Sequence, residues 1–354
     1  MKVSVVVPVR NEGPRIAVTF DALFAQTRLP DEVVVADGGS SDDTVARIMS
    51  YADRGVPIRV VPNETVFAGG GRNAATLAAS HDLLVNLDVG NRPDTRWLEE
   101  IVRPFEDDPS LDYVGGIFYP MLDTWFERTA GAIIYFDDCI GMTWSLEELA
   151  RHVPPDPMPG GNCMAYTRAV WERAGGFCEW ARKGQDRLYG TRIRNVGGRI
   201  AMTLHSIMHH HMAGSLRDAF DRHYHYGIWI GRMALSNSRF RTLMRLYAAG
   251  VALVLAAIAL PVLRPLLPLL VVAYAYLAAW RKLDQLAAAT GVPFSLKQRL
   301  AAVVILFVRD CAVLAGTLRG KLERRLQPRW ARMTREYLEH GRQPTSPFAG
   351  LRST

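Results

Sequence analysis

Short apolar runs alternate with longer amphipathic ones over the first ninety residues. Val3 to Val9 (V-S-V-V-V-P-V), Glu32 to Ala36 (E-V-V-V-A), Ile58 to Val61 and Leu83 to Leu87 are too short for helices and carry little polar alternation, which is the pattern of strands covered on both faces. Between them Ile16 to Ala25, Val45 to Ala52 and Ala74 to Ala79 read as helices, the last opened by the glycine-rich turn Gly69-Gly70-Gly71-Arg72-Asn73. Four strands alternating with three helices predict an α/β domain built on a mostly parallel sheet with right-handed crossovers.

The pattern changes after residue 215. Phe220 to Leu235 mixes Tyr224, Tyr226 and Trp229 with Arg222 and Arg232, which suits an amphipathic helix at a membrane surface or one packed on the sheet domain. Leu246 to Val262 and Pro265 to Trp280 are apolar runs near the lower limit of the ~20 residues that cross a bilayer core. Arg245 before them and Arg281-Lys282 after them predict a helical hairpin with both ends on the cytoplasmic side and Arg264 at the far side. Leu300 to Leu318 is interrupted by Arg309-Asp310, so it is expected to lie in the interface with that pair on its polar face. The expected organisation is a catalytic-type domain over 1–215, an interfacial helix over 216–244, a membrane hairpin over 245–282, amphipathic basic helices over 283–340 and a disordered tail over 341–354.

Composition supports this division. The 354 residues are 49% hydrophobic with a net charge of +7, and the excess of both apolar and basic residues gathers in the C-terminal part. Basic residues beside apolar helices favour anionic lipid at the inner face of a plasma membrane. No basic motif interleaved with aromatics points to nucleic acid, so none is expected as a partner. Cys139, Cys163, Cys178 and Cys311 have neither zinc-ligand spacing nor a disulfide framework, and the chain enters its first strand without a charged-then-apolar leader.

The candidate chemistry lies where strands end. Asp37 and Asp88 both follow apolar strands, and in an open α/β sheet the crevice beyond the strands' carboxyl ends is where ligands bind. A carboxylate for ribose or base, with an Arg and backbone amides for a diphosphate, is a nucleotide-binding set, yet neither a G-x-G-x-x-G nor a Walker lysine is present.

The stretches V-S-V-V-V-P-V-R-N-E, V-V-V-A-D-G-G-S-S-D-D-T, G-G-G-R-N-A-A and L-D-V-G-N-R-P-D, followed by Pro159 to Ala165, Ala174-Gly175-Gly176-Phe177 and Gly184-Gln185-Asp186, resemble in order and spacing the family 2 glycosyltransferases of the GT-A fold. The resemblance covers roughly Val3 to His211. It implies that Pro8, Asn11, Glu12 and Asp37 hold the nucleoside, that Arg72 and Asn73 face the diphosphate, and that Asp88 stands for the first Asp of the D-x-D that holds Mg²⁺ or Mn²⁺. It also implies that Asp186 is the general base, with Gly160, Gly161, Asn162, Gln185 and Arg192 on the acceptor side.

Two positions depart from the family pattern. Gly90 stands where the second D-x-D carboxylate belongs, and Gln185 replaces the acidic residue before the base. The cluster His205, His209, His210 and His211 could supply the missing metal ligand, with His209 and His211 the candidates against a plain surface-loop reading. Asp137-Asp138 could position an acceptor hydroxyl, although a solvated turn explains them more simply.

The function expected from the resemblance and the apolar C-terminal part is inverting transfer from a nucleotide-diphosphate sugar, UDP being the family's commonest nucleotide, to a lipid-linked acceptor. The setting would be cell-envelope or exopolysaccharide assembly at the inner membrane, beside other glycan-assembly enzymes. The alternatives are transfer onto polyprenyl monophosphate and a catalytically silent nucleotide-binding membrane partner.

Overall fold

The computed structural model describes residues 1–152, 160–161, 163–235 and 238–341. They form two compact units. Of the described residues, the first takes those within 1–119, 145–211 and 332–341, and the second those within 120–144 and 212–331.

The first unit is built on one mixed sheet. Strands β1 (Val3–Val9), β2 (Glu32–Asp37), β3 (Ile58–Pro62), β4 (Leu83–Asn86), β5 (Arg92–Pro93), β6 (Tyr113–Pro120), β7 (Met164–Thr167) and β8 (Ile200–His210) lie in the order β3-β2-β1-β4-β7-β6-β8-β5. β1, β2, β3 and β4 run parallel, β7 pairs antiparallel with β4 and β6, and β5 pairs antiparallel with β8. The parallel half is the part the apolar runs predict. Its side chains divide by the two-residue period of a strand: Val3, Val5, Val7, Val33 and Val35 enter one core, and Val6, Val34 and Ala36 the opposite one. Helices α1 (Ile16–Phe24), α2 (Thr44–Met49) and α4 (Trp97–Asp107) cover the first face through Phe20, Ile48, Trp97 and Phe105. Helix α3 (Ala68–Ala78) covers the second with the helices Arg168–Ala174 and Gln185–Asn195.

The glycine run differs from expectation. Gly69, Gly70, Gly71, Arg72 and Asn73 are helical and buried, so α3 begins before them rather than after. The reason is close approach: a Cβ on Gly71 would stand 2.8 Å from the Pro8 Cβ, and one on Gly69 would run into the Cys178 carbonyl. Glycine lets this helix lie directly on its neighbours.

The second unit is helical. Leu216–Met233 and Leu296–Leu326 cross through Gly227 and Gly231 on one helix and Gly316 and Gly320 on the other. A Cβ on Gly231 would meet the Lys321 amide nitrogen at 2.7 Å, so the backbones touch without intervening side chains. A separate core joins Ala130, Ile133 and Cys139 to Leu283, Leu286, Ala302 and Ile305. Ser238–Ala259 and Leu266–Tyr274 are joined by the 3₁₀ turn Pro261–Leu263, and the second of them continues through the π-helical Ala275–Trp280 into Arg281–Thr290. Among the described residues two helices are long and apolar enough to cross a bilayer: Phe240–Ala259 is 11% buried over its apolar window, whereas Leu296–Leu326 is 50% buried.

Arg309 and Asp310 lie at 1% and 2% exposure, not on a polar face as the sequence suggests. Arg309 donates to the Asp310 carboxylate through Nε at 2.9 Å, and the Tyr274 hydroxyl donates to its other oxygen at 3.3 Å.

Candidate active site

The candidate site lies within the first unit, at the carboxyl edge of its parallel strands. An open cleft of ≈ 670 Å³ is lined by Arg10, Asp37, Gly38 and Gly39 on one side and by Val60 to Glu64 and Val66 on the other. It sits beyond the ends of β2 and β3. The Asp37 carboxylate is shaped by the turn that follows it, accepting from the Ser40 amide at 3.1 Å and the Ser40 hydroxyl at 2.5 Å. Pro8, in β1, pairs with Ala36 beside it.

The loop after β1 borders this cleft. Asn11 adopts φ 53° and accepts the Ser41 amide at 2.8 Å, tying the loop to the turn after Asp37. Glu12 receives Arg15 Nη1 at 3.0 Å. Burial pushes the Glu12 carboxyl above its usual range, opposed by Arg15 and reinforced by the nearby negative charges of Asp88 and Asp42.

On the other side of β1, β4 delivers Asn86, and two residues later the chain reaches Asp88. Arg72 binds both: Nε donates to Asn86 Oδ1 at 2.7 Å, and Nη2 to the two Asp88 oxygens at 2.9 Å each. Asn86 Nδ2 turns to Asp88 Oδ1 at 3.2 Å and to the Gly161 carbonyl at 2.9 Å. The Gly161 amide donates to Asp186 Oδ2 at 3.0 Å. Asp186 stands in the first turn of Gln185–Asn195, and Gly161 can approach it because a Cβ there would meet the Asp186 Cβ at 2.9 Å. Burial works against the Arg72 charge, but Asp88 and Asp186 outweigh it and hold the guanidinium firmly protonated. The result is a chain of direct contacts, Asp88–Arg72–Asn86–Gly161–Asp186, spanning two carboxylates.

Several residues expected at the ligand serve the protein instead. Asn73 is 5% exposed, and its amide is fully used: Nδ2 donates to the Phe177 carbonyl and Glu179, while Oδ1 accepts from Trp171 Nε1 and the Phe177 amide. It holds the Gly175-Gly176-Phe177 turn rather than a diphosphate. Arg72 reaches the site only through Asp88. Arg192, expected on the acceptor side, donates to the carbonyls of Ala174, Leu338 and Glu339, so it fastens the end of the C-terminal helix within the first unit. Gln185 is buried at the helix start beside Gly69, Gly160 borders the cluster through its neighbour Gly161, and Asn162 lies outside the described residues.

The donors present do not fit the expected carboxylate–histidine cation site. Asp88 Oδ1 already accepts from Arg72 and Asn86, which leaves a single acceptor position on Oδ2. Gly90 brings no carboxylate. His211 is near the turn, its Cβ 4.0 Å from where a Gly90 Cβ would be, but the His209 ring packs against Tyr119 and His210 Nδ1 engages Asn91 at 2.8 Å. Among the described residues no three His, Cys, Asp or Glu side chains converge on one point.

Three groups of this site escape the sequence reading: Asn86, Thr19 and Arg15. Asn86 carries a visible signal, being a polar residue inside the apolar run Leu83 to Leu87 and fully buried. Thr19 pins the Asp88–Asn91 turn, accepting the Gly90 amide at 2.9 Å and donating to the Asn91 carbonyl at 2.8 Å. Arg15 carries no signal until its neighbour Gly90 is placed.

Residues 4–175 match the glycosyl transferase family 2 model. The O-antigen chain rhamnosyltransferase RfbN of Salmonella typhimurium is 24% identical over 232 residues, 65% of this chain and 72% of that protein. The O-antigen biosynthesis protein RfbC of Myxococcus xanthus is 25% identical over 236 residues, 61% of this chain but 18% of its own length. A mannosyltransferase from Pyrobaculum calidifontis, solved with GDP-mannose and Mn²⁺, is 20% identical with a TM-score of 0.49, over 88% of this chain and 87% of that one. The matched region spans the cleft, Arg72 and Asp88 on a mixed sheet that turns antiparallel after β4, so residues 4–175 carry a glycosyl transferase family 2 domain.

Proposed function

We propose that the protein transfers a sugar from a nucleotide-diphosphate sugar to a lipid-linked acceptor, with inversion at the anomeric carbon, in the assembly of an O-antigen-type cell-envelope polysaccharide. The observation that carries this reading is the contact chain from Asp88 to Asp186 beside the Asp37 cleft. β3 and β4 are three strand spacings apart, roughly 14 Å, a span suited to a nucleoside at Asp37 and its sugar near Asp186.

In this reading Asp186 takes the proton of the acceptor hydroxyl while that oxygen bonds to the anomeric carbon. The carbon–oxygen bond to the diphosphate breaks on the opposite face, and the nucleoside diphosphate leaves with the electron pair. A single carboxylate placed for proton removal suits one displacement and hence inversion. The Gly161 amide fixes the orientation of Asp186, and Arg72 fixes Asp88. UDP is the first nucleotide to test.

The acceptor side follows from the second unit. The apolar helix Phe240–Ala259 is almost unburied by protein, and Val251, Val254, Leu255 and Ile258 stand exposed along it. A bilayer is the solvent such a face requires, and a polyprenyl carrier would present its head group at that surface. The similarity to the two O-antigen proteins supports the cell-envelope setting. The basic residues Arg245, Arg281 and Lys282 beside the apolar runs favour the inner membrane with the catalytic unit on the cytoplasmic side.

Detergent-purified protein assayed against UDP-, GDP- and dTDP-sugars with membrane-extracted lipid acceptors tests the reading. Release of nucleoside diphosphate should fall at least ~100-fold in Asp186→Asn, a typical general-base contribution. Equal rates in the variant and the wild type would remove Asp186 from its role.

A further inference from the structure

We propose that Arg15 binds the donor's diphosphate directly and neutralises the charge that a D-x-D pair would meet with a bound cation. The inference deepens the donor reading above and rests on it.

Gly90 has φ +92°, and a Cβ built there would stand 3.1 Å from Arg15 Cδ and 4.0 Å from Arg15 Nε. The volume beside the turn, where a second carboxylate would begin, is therefore occupied by the root of a guanidinium. A cation site has lost an anionic ligand there, and the same place has acquired a positive group. The turn is rigid: Thr19 holds its backbone on both sides of Gly90, and Asn91 is held by His210. Arg15 itself is 51% exposed and engages Glu12 through Nη1 alone, leaving the Nε and Nη2 donors without a protein partner among the described residues. Two adjacent guanidinium N–H groups are the fork that grips two phosphate oxygens.

Position argues the same way. Arg15 follows the loop after β1, and β1 lies between β2, which borders the nucleoside cleft, and β4, which delivers Asp88. A donor extended from Asp37 toward Asp186 carries its diphosphate across that loop. Arg72 is no direct phosphate ligand in this geometry: Nε and Nη2 are engaged by Asn86 and Asp88, and Nη1, which has no hydrogen-bond partner, is buried.

The test is calorimetric binding of UDP, GDP and dTDP, each against its parent nucleoside, in EDTA and again with Mn²⁺, for the wild type, Arg15→Ala and Arg15→Lys. The wild type in EDTA should bind one diphosphate at least ~10-fold more tightly than its nucleoside, the strength of one charged hydrogen-bonding group. Arg15→Ala should erase that preference while leaving nucleoside affinity unchanged, which shows the cleft intact, and Arg15→Lys should keep part of it. A preference that appears only with Mn²⁺, or that survives in Arg15→Ala, overturns the inference but leaves the donor reading standing. Absence of nucleotide binding in every condition overturns both.

Discussion

Among the described residues two arginines, Arg72 and Arg309, are buried against an aspartate, and the two pairs differ in their surroundings. In the second unit Arg309 and Asp310 are sealed, with side chains 2% and 3% exposed among apolar helices, and Tyr274 takes the remaining carboxylate oxygen. In the first unit Arg72 is equally buried, but its partner Asp88 is 29% exposed and keeps one acceptor position. Removing two charges from water costs several kcal/mol per ion unless both are well paired. The sealed pair makes that investment within the helix bundle. The open pair leaves a fixed carboxylate partly exposed, with one acceptor position that the arginine does not use.

The largest difference should appear when the sealed pair is broken on one side. Arg309→Met leaves Asp310 buried without its cation and should cost about 3–5 kcal/mol in denaturation of the detergent-solubilised protein, while the double change with Asp310→Leu should recover most of the loss. Stability of the double variant no better than that of Arg309→Met would mean the pair is not the local unit the geometry shows.

The open pair should respond less in stability and more in function. Arg72→Met should cost about 1–3 kcal/mol, because water reaches Asp88, and adding Asp88→Leu should recover stability without recovering transfer. Recovery of transfer in the double variant would make the pair purely structural and erase the contrast.

A smaller effect concerns Asp138, in the second unit. Burial first, and then Asp137, raise its carboxyl to about 6 from 3.8. A carboxyl whose folded value lies above its unfolded one favours the folded state most at low pH, and that advantage is lost as pH rises from about 4 through about 6. Asp138→Asn should therefore stabilise the protein at pH 7 by about 1–3 kcal/mol and leave it unchanged near pH 4. Melting temperatures at the two pH values check this; equal shifts at both would show that the Asp138 charge is not what burial penalises.

The parallel half of the sheet was legible because each strand is a short, mostly apolar run, and Asp37 and Asp88 were legible because one closes such a run and the other follows one. Asp186 was reached only through its motif, since the Gly161 amide that orients it lies 25 residues away. What stayed hidden depends on distant backbone. Arg192 looks like a ligand-binding arginine in the sequence, yet its partners are main-chain carbonyls 146 and 147 residues further on, which have no residue code. Arg309-Asp310 looks like a polar helix face because its burial is supplied by other helices. Asn73 looks like a phosphate ligand because only the folded turn at Phe177 shows where its amide is spent.

The most direct measurement of the central claim is proton NMR of the sugar released when the wild type and Asp186→Asn hydrolyse the identified donor, recorded before the anomers equilibrate. Single displacement assisted by Asp186 predicts a first-formed product of opposite anomeric configuration to the donor, appearing at least ~100-fold more slowly in the variant. A product that retains the donor's configuration, or one formed equally fast without the Asp186 carboxylate, would contradict the account.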